Sequence, residues 1–249
     1  MKKLIVFDLD GTLAESKGVI DVERATLFSQ LLSLVKVAVI SGGDWPQFDI
    51  QLLSKLTKNT FLDNLTILPT SGTKFYMYSG AWIKKYSEDF TVEEKEKIYY
   101  ALHETMKQVE FNVDQVWGEI IEDRGSQVTF SALGQSAPIE AKKRWDSDFK
   151  KRQKMKAILD KMIPEFAVNL GGTTSVDITN HCIDKAYGIQ KLRDILGIPL
   201  VDMLFVGDAI FPGGNDYSAK EVGVKTIMVK NPDETKRVME TLIALLGNE

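Results

Sequence analysis

The fold of this chain is decided by one stretch, Leu4-Ile5-Val6-Phe7-Asp8-Leu9-Asp10-Gly11-Thr12-Leu13. Its apolar beginning is continuous rather than alternating, which is typical of a strand buried on both faces of a parallel sheet. In an open α/β sheet, ligands bind beyond the carboxyl ends of the strands, and both acids of the stretch fall there. Because residues i and i+2 of an extended chain point the same way, Asp8 and Asp10 are predicted to face one ligand.

The two acids and the turn after them indicate a cation and an anion at one place. Adjacent carboxylates repel each other unless they share a cation, and ligand sets made only of oxygen favour a hard ion such as Mg²⁺. Gly11 lets the chain turn sharply, and Thr12 offers a hydroxyl and an amide to an anion. The alternative is a solvated Asp-Leu-Asp-Gly turn, and this stretch alone does not decide between the two.

The composition is that of an ordinary globular protein. With 249 residues, 44% of them hydrophobic, the chain can hold a large core, and we expect two domains. The net charge of −4 gives no reason to expect nucleic acid or a membrane as a partner. A single cysteine, Cys182, excludes an internal disulfide and fits a cytoplasmic location. The apolar residues between Lys2-Lys3 and Asp8 are too few for a secretion signal.

A second strand-like stretch ends in a polar loop. Lys36–Ile40 runs into Ser41, Gly42 and Gly43, which supply a hydroxyl and free amides before a predicted helix. Such a loop can cradle a phosphate. The alternative is an ordinary strand-to-helix turn with Asp44 as N-cap, and both interpretations can hold together.

The alternation of strands and helices is interrupted in the middle of the chain. A hairpin over residues 74–83 predicts that the first domain pauses near residue 84, and the α/β rhythm returns at Lys185. We therefore predict a discontinuous core, 1–84 and 185–249, with a lid of helices on a sheet inserted at 85–184. The basic run within residues 141–156 is interpreted as a solvated helix face, because Asp146 and Asp148 interrupt its charge.

The returning core carries the remaining polar motifs. Asp184 is a predicted N-cap, and Lys185 follows in the first helical turn, where the helix dipole disfavours a cation unless an anion lies nearby. An exposed lysine is the alternative. Asp208 ends the buried strand Met203–Gly207, so it can reach the cation held by Asp8, and Asn215 and Asp216 can orient ligands around it.

Taken together, these motifs resemble the haloacid dehalogenase (HAD) superfamily: a Rossmann-like α/β core with a parallel sheet and, here, an inserted α+β cap similar to type IIB. More narrowly, the chain resembles the eukaryotic-type phosphomannomutases along nearly its whole length. The matching pieces are Asp8–Thr12, Gly42–Asp44, Pro69–Gly72, Glu122–Arg124, Gly171-Gly172, Ser175 with Asp177, Asp184-Lys185 and Pro212–Asp216.

The resemblance implies a role for each matching residue. Asp8 would be the nucleophile and Asp10 the acid/base, with Mg²⁺ held by Asp8, the carbonyl of Asp10, and Asp208. Lys185 and Ser41 would hold the transferring phosphate within a cradle completed by Gly11, Thr12, Gly42 and Gly43. In the cap, Arg124 would bind a second phosphate and Ser175 and Asp177 the sugar hydroxyls. A homodimer through the cap stays an open option.

Departures from the mutase pattern change the expected reaction. Mutases carry a second cap arginine where this chain reads Leu133-Gly134-Gln135, other residues than theirs occupy 180–183, and Ser41 replaces their usual glycine. We therefore expect a Mg²⁺-dependent phosphohydrolase that acts on a small phosphorylated sugar through an aspartyl-phosphate. The alternatives are a phosphomannomutase and a catalytically silent phosphosugar-binding protein.

Overall fold

The computed structural model describes residues 2–57, 60–109, 113, 115–171 and 174–247. The chain divides into two units, one of Met1–Ser87 with Asp184–Glu249 and one of Glu88–Ile183. Gly172, half of the Gly171-Gly172 turn noted in the sequence, lies outside the described residues. None of the described helices is long and apolar enough to cross a membrane.

The strands and helices alternate in the first unit and regroup in the second. The strands are β1 (Leu4–Asp8), β2 (Lys36–Ile40), β3 (Leu65–Leu68), β4 (Lys74–Tyr78), β5 (Trp82–Ser87), β6 (Ile121–Asp123), β7 (Gln127–Ser131), β8 (Phe166–Gly171), β9 (Ser175–Asn180), β10 (Met203–Gly207) and β11 (Lys225–Met228). The helices are α1 (Val22–Leu34), α2 (Trp45–Gln51), α3 (Val92–Gln108), α4 (Ile139–Trp145), α5 (Lys150–Met162), α6 (Lys185–Leu196), α7 (Tyr217–Glu221) and α8 (Pro232–Leu246).

The first unit is built on a seven-stranded sheet in the order β11-β10-β1-β2-β3-β4-β5. The first five strands of this order are parallel to one another. Strand β4 is antiparallel to β3, and β5 is antiparallel to β4. Along β1, Ile5 and Phe7 join the apolar cluster that includes α1 and α8, whereas Leu4 and Val6 join the cluster that includes α6 and α7. Both faces of β1 are therefore buried, which explains its unalternating sequence.

The predicted helix starts are confirmed by side-chain caps. Asp21 accepts from the backbone N–H of Arg24 at the start of α1, and Asp184 accepts from that of Tyr187 at the start of α6. Thr91 and Glu94 form a reciprocal capping box at the start of α3. These contacts depend on residues three positions apart, so the sequence alone was sufficient to predict them.

The second unit has a four-stranded antiparallel sheet in the order β6-β7-β9-β8. One face, which includes Phe130 and Ile178, packs with α3 and α5 in a single apolar cluster. On the other face, Thr129 pairs with Asp177 and Ser131 pairs with Ser175. The two sheets together form the predicted fold class, a parallel-rich α/β core with an inserted α+β cap.

The basic run within residues 141–156 is not wholly a solvated face, and that interpretation was wrong for one residue. Arg152 is 1% exposed, and its Nε donates to Asp146 Oδ2 at 2.7 Å. Its Nη1 donates to the carbonyl of Gly171 at 3.1 Å, and its guanidinium lies 4.8 Å from the Phe149 ring centroid. Asp146, read from the sequence as a charge that dilutes the basic run, is instead the buried partner of Arg152.

Candidate active site

The carboxylate of Asp8 lies at the centre of a buried charge cluster. Asp8 is the last residue of β1 and is 3% exposed. The ammonium of Lys185 donates to Oδ1 of Asp8 and to Oδ1 of Asp216, and all three side chains are buried. Because β10 is the parallel neighbour of β1, Asp208, which follows β10, reaches the same edge of the sheet.

The oxygen ligands at this edge could hold a divalent cation. Carboxylate oxygens of Asp8, Asp208 and Asp216 lie within 4.8 Å of one another. The hydroxyl of Thr12 lies 3.3 Å from Asp8 Oδ2 and 3.3 Å from Asp208 Oδ1, tying these two acids together. A Cβ at Gly11 would lie 2.6 Å from Asp208 Oδ2, so only glycine fits this turn. Sequence reasoning gave Asp216 an orienting role only, whereas its carboxylate belongs to the cluster.

The carboxylates of the cluster outnumber its ammonium, and the pKa values of the group members are shifted accordingly. Burial raises the pKa of Asp8 well above its usual range, an effect that Lys185 opposes and Asp216 and Asp208 reinforce. Burial and the nearby Asp216 likewise raise the pKa of Asp208. Although burial lowers the pKa of Lys185, the carboxylates of Asp216 and Asp8 outweigh it and raise that pKa. Among the described residues, the cluster has three carboxylates and one ammonium. The excess of carboxylate oxygen ligands fits Mg²⁺.

The loop after β2 is fixed by the turn after β3. Ser41 Oγ accepts from the N–H of Gly43 at 3.1 Å, an arrangement that leaves its O–H able to donate to an anion. The carbonyls of Ser41 and Gly43 accept from Ser71 and Thr70 at 2.9 Å each. Thr70 and Ser71 have φ of 48° and 56°, an unusual conformation for non-glycine residues that these two hydrogen bonds hold in place.

The carboxylate of Asp10 is held by uncharged donors. Its Oδ2 accepts from Nε2 of Gln47 at 2.5 Å. Its Oδ1 accepts from the backbone N–H of Lys17 at 2.7 Å and from Nε2 of Gln51 at 3.2 Å. Sequence reasoning missed both glutamines; their spacing of four residues on one helix, directly after the polar loop, was the available signal.

Two further residues of the core were singled out in the sequence. Gly42 lies between Ser41 and Gly43 in the loop after β2. Asn215 is exposed in the segment that leads from β10 to α7, whereas the neighbouring Asp216 is buried and accepts from the N–H of Ala209 at 3.0 Å.

The predicted cap residues lie on the polar side of the second sheet or at its end. Both Nε and Nη2 of Arg124 donate to Oε2 of Glu122, at 3.0 and 2.6 Å. Asp177 Oδ1 accepts from Thr129 at 2.8 Å, and Ser175 Oγ lies 3.5 Å from Ser131 Oγ. Of the predicted cap residues, Arg124 is therefore a buried cation paired with Glu122, and Ser175 and Asp177 lie beside hydroxyl groups.

Comparisons with known proteins define first the class and then the family. A haloacid dehalogenase-like hydrolase from Bacteroides thetaiotaomicron has a similar structure, with a TM-score of 0.68 and 16% identity over 98% of this chain and 100% of that chain. The IMP-nucleotidase of Plasmodium falciparum matches with a TM-score of 0.72 and 16% identity over 98% of this chain and 69% of that one. The chain therefore shares the fold of these proteins, an α/β core with an inserted cap.

The family model described as eukaryotic phosphomannomutase matches residues 24–245, and the chain belongs to that family. A phosphomannomutase of Encephalitozoon cuniculi is 27% identical over 99% of this chain and 95% of its own length. The family match begins after Asp8 and Asp10. Family and fold make the chain an enzyme of phosphoryl transfer on sugar phosphates, rather than a silent binding protein.

Proposed function

We propose that this chain is a Mg²⁺-dependent phosphohydrolase that removes phosphate from a small phosphorylated sugar through an aspartyl-phosphate on Asp8. The environment of the Asp8 carboxylate carries the proposal. Its Oδ1 is held by Lys185, while Oδ2 has a weaker contact, 3.3 Å to the hydroxyl of Thr12. Oδ2 is therefore the oxygen best placed to attack phosphorus.

In this mechanism the remaining core residues position and neutralise the phosphoryl group. Lys185 and the O–H of Ser41 bind its oxygens. Asp8, Asp208 and the carbonyl of Asp10, with Asp216 as a further ligand, would hold Mg²⁺, which would supply positive charge beside the phosphoryl oxygens. As the bond from phosphorus to the sugar oxygen breaks, Asp10 gives that oxygen a proton. It then takes one from the water that attacks the aspartyl-phosphate, releasing phosphate and restoring Asp8.

The inserted unit is proposed to be the cap that selects the substrate. Arg124 would bind an anionic group of the sugar phosphate away from the reacting phosphorus, and Ser175 and Asp177 would bind hydroxyls. Arginine suits this task because its planar guanidinium matches the geometry of a phosphate, and Glu122 orients the guanidinium through Nε and Nη2. A cytoplasmic location is part of the same proposal, because sugar phosphates are intracellular metabolites and the lone Cys182 needs no oxidising environment.

The glutamine at position 135 favours transfer of the phosphoryl group to water over the mutase reaction. A mutase must hold a bisphosphate by either end while it turns over, and Gln135 stands where mutases carry a second cap arginine. An uncharged amide at that position cannot replace the bidentate, charge-assisted grip of a guanidinium. Loss of that grip favours release of the intermediate and hydrolysis.

Phosphomannomutase activity is the second candidate, and two observations favour it. The chain belongs to the eukaryotic phosphomannomutase family, and its relative in E. cuniculi carries that name. In addition, Nζ of Lys142 donates to the backbone carbonyl of Gln135 at 3.0 Å. A positive charge therefore lies near the position where mutases carry their second cap arginine.

The two candidates are separated by ³¹P NMR with Mg²⁺ and mannose 6-phosphate, with and without catalytic glucose 1,6-bisphosphate. Inorganic phosphate growing in both samples supports the phosphohydrolase. Mannose 1-phosphate appearing only in the presence of the bisphosphate supports the mutase and overturns the argument from Gln135.

The same experiment on Gln135→Arg tests the physical reason directly. We expect the ratio of mannose 1-phosphate to inorganic phosphate to rise by about 10- to 100-fold, because one charge-assisted hydrogen bond contributes about 1.5–3 kcal/mol. Gln30→Met on the exposed face of α1 is the control. An unchanged ratio in Gln135→Arg would mean that this position does not choose the acceptor.

A further inference from the structure

We propose that Gln47 is a positioning residue that aims the carboxylate of Asp10 at the leaving oxygen. This inference rests on the proposed function, because it presupposes that Asp10 is the acid/base. It concerns the network of Asp10, Gln47, Gln51 and Gly43.

The hydrogen bonds around Asp10 leave one place for the transferred proton. A carboxylate offers about four lone-pair sites, two on each oxygen. Among the described residues, two donors occupy Oδ1: the N–H of Lys17 at 2.7 Å and Nε2 of Gln51 at 3.2 Å. The single donor to Oδ2 is Nε2 of Gln47 at 2.5 Å. The second site on Oδ2 can therefore carry the proton, and the direction of the Gln47 contact determines where that site points.

The backbone around Gln47 is shaped to seat its side chain. Gln47 lies in the first turn of α2, whose start is fixed by the N-cap Asp44 and by the 2.7 Å ion pair between Asp44 and Lys74. A Cβ at residue 43 would lie 2.1 Å from Oε1 of Gln47, so glycine at that position is what lets the amide sit where it does. The amide is thus placed by the fold rather than by chance rotamer choice.

An amide is suited to this task because it orients without adding charge. A lysine or arginine at residue 47 would pair with Asp10 and hold it permanently as the anion. Glutamine instead donates one N–H and leaves the carboxylate able to give and take a proton during each half-reaction. The structure therefore assigns the geometry of proton transfer to Gln47 and the transfer itself to Asp10.

The test compares two substrates that differ in their need for an acid. A sugar alkoxide is a poor leaving group and requires protonation, whereas p-nitrophenolate leaves without it. We expect Gln47→Met to lower kcat on mannose 6-phosphate by about 10- to 100-fold, part of the 10²- to 10⁴-fold that general acid catalysis contributes, with little change in KM. The initial burst of p-nitrophenolate from p-nitrophenyl phosphate, which reports only the transfer of phosphate to Asp8, should stay within about twofold of the wild-type rate, since this leaving group needs no proton.

Matched variants keep the inference open to failure. Gly43→Ala should also lower kcat on mannose 6-phosphate, and the double variant should add little to that loss, because both changes displace the same amide. Gln30→Met should leave both rates unchanged. Equal losses on both substrates, or no loss on either, would overturn the positioning role of Gln47.

Asp10→Asn distinguishes failure of this inference from failure of the proposed function. If Asp10→Asn loses the mannose 6-phosphate reaction but keeps the burst of p-nitrophenolate, while Gln47→Met changes neither, the function stands and the inference is wrong. If Asp10→Asn keeps both rates, Asp10 is not the acid/base, and the inference falls with that role.

Discussion

Two buried ionic clusters among the described residues differ in their charge balance. In the second unit, Arg152 faces Asp146 one to one, and the carbonyl of Gly171 takes a further N–H of the guanidinium. At the end of β1, three carboxylates face the single ammonium of Lys185. A balanced, hydrogen-bonded pair needs nothing else, whereas an excess of buried negative charge requires a proton or a cation. An excess of buried negative charge, rather than burial of charge as such, therefore distinguishes the proposed catalytic site from a structural ion pair.

The largest expected effect is the loss of activity when Asp8, the proposed nucleophile of the unbalanced cluster, is replaced. Asp8→Asn should lower kcat by about 10⁴-fold or more, because an amide cannot form the covalent intermediate. Its melting temperature should not fall, since the change removes one of three repelling carboxylates. Asp194→Asn, on an exposed surface of α6, is the matched control in both measurements. Activity surviving in Asp8→Asn would remove Asp8 from its proposed role.

Breaking the balanced cluster should instead cost stability. Arg152→Leu leaves Asp146 buried without its cation, so we expect the free energy of unfolding to fall by about 3–5 kcal/mol. The double variant Arg152→Leu with Asp146→Leu should cost less than Arg152→Leu alone, because no charge is then stranded. Urea denaturation measures both variants against the wild type, with the exposed Arg144→Leu as control. If Arg152→Leu is tolerated as well as Arg144→Leu, the pair is not structural.

Adding Mg²⁺ should stabilise the carboxylate cluster around Asp8 and should not affect the pair of Arg152 and Asp146. At a Mg²⁺ concentration 100 times its dissociation constant, the expected gain is about 2.7 kcal/mol, measured as a rise in melting temperature. Asp208→Asn should lose most of that gain, and Arg152→Leu should keep it. An equal gain in Asp208→Asn would place the ion elsewhere.

Sequence reasoning was accurate where the signals were local or periodic. The N-caps Asp21 and Asp184 and the capping box at Thr91 lie where they were predicted, since each depends on neighbours within one helical turn. It failed for Arg152, which was interpreted as part of a solvated face. Whether a charge is buried depends on which distant segment packs over it. Here the guanidinium of Arg152 donates to the carbonyl of Gly171, which lies 19 residues away in the chain.

The sequence by itself determined the strand β1, with Asp8 at its end and Asp10 two residues beyond. It also determined the alternation of strands and helices around an inserted cap, and phosphoryl transfer as the class of chemistry. These follow from short-range patterns that fix secondary structure and burial before any packing is known. Tertiary structure alone decided that Lys185 meets Asp8 across 177 residues, that Asp216 joins the carboxylate cluster, and that Gln47 holds Asp10. The physical reason is that a charge or amide acquires its role from partners that only packing of distant segments brings within hydrogen-bonding distance.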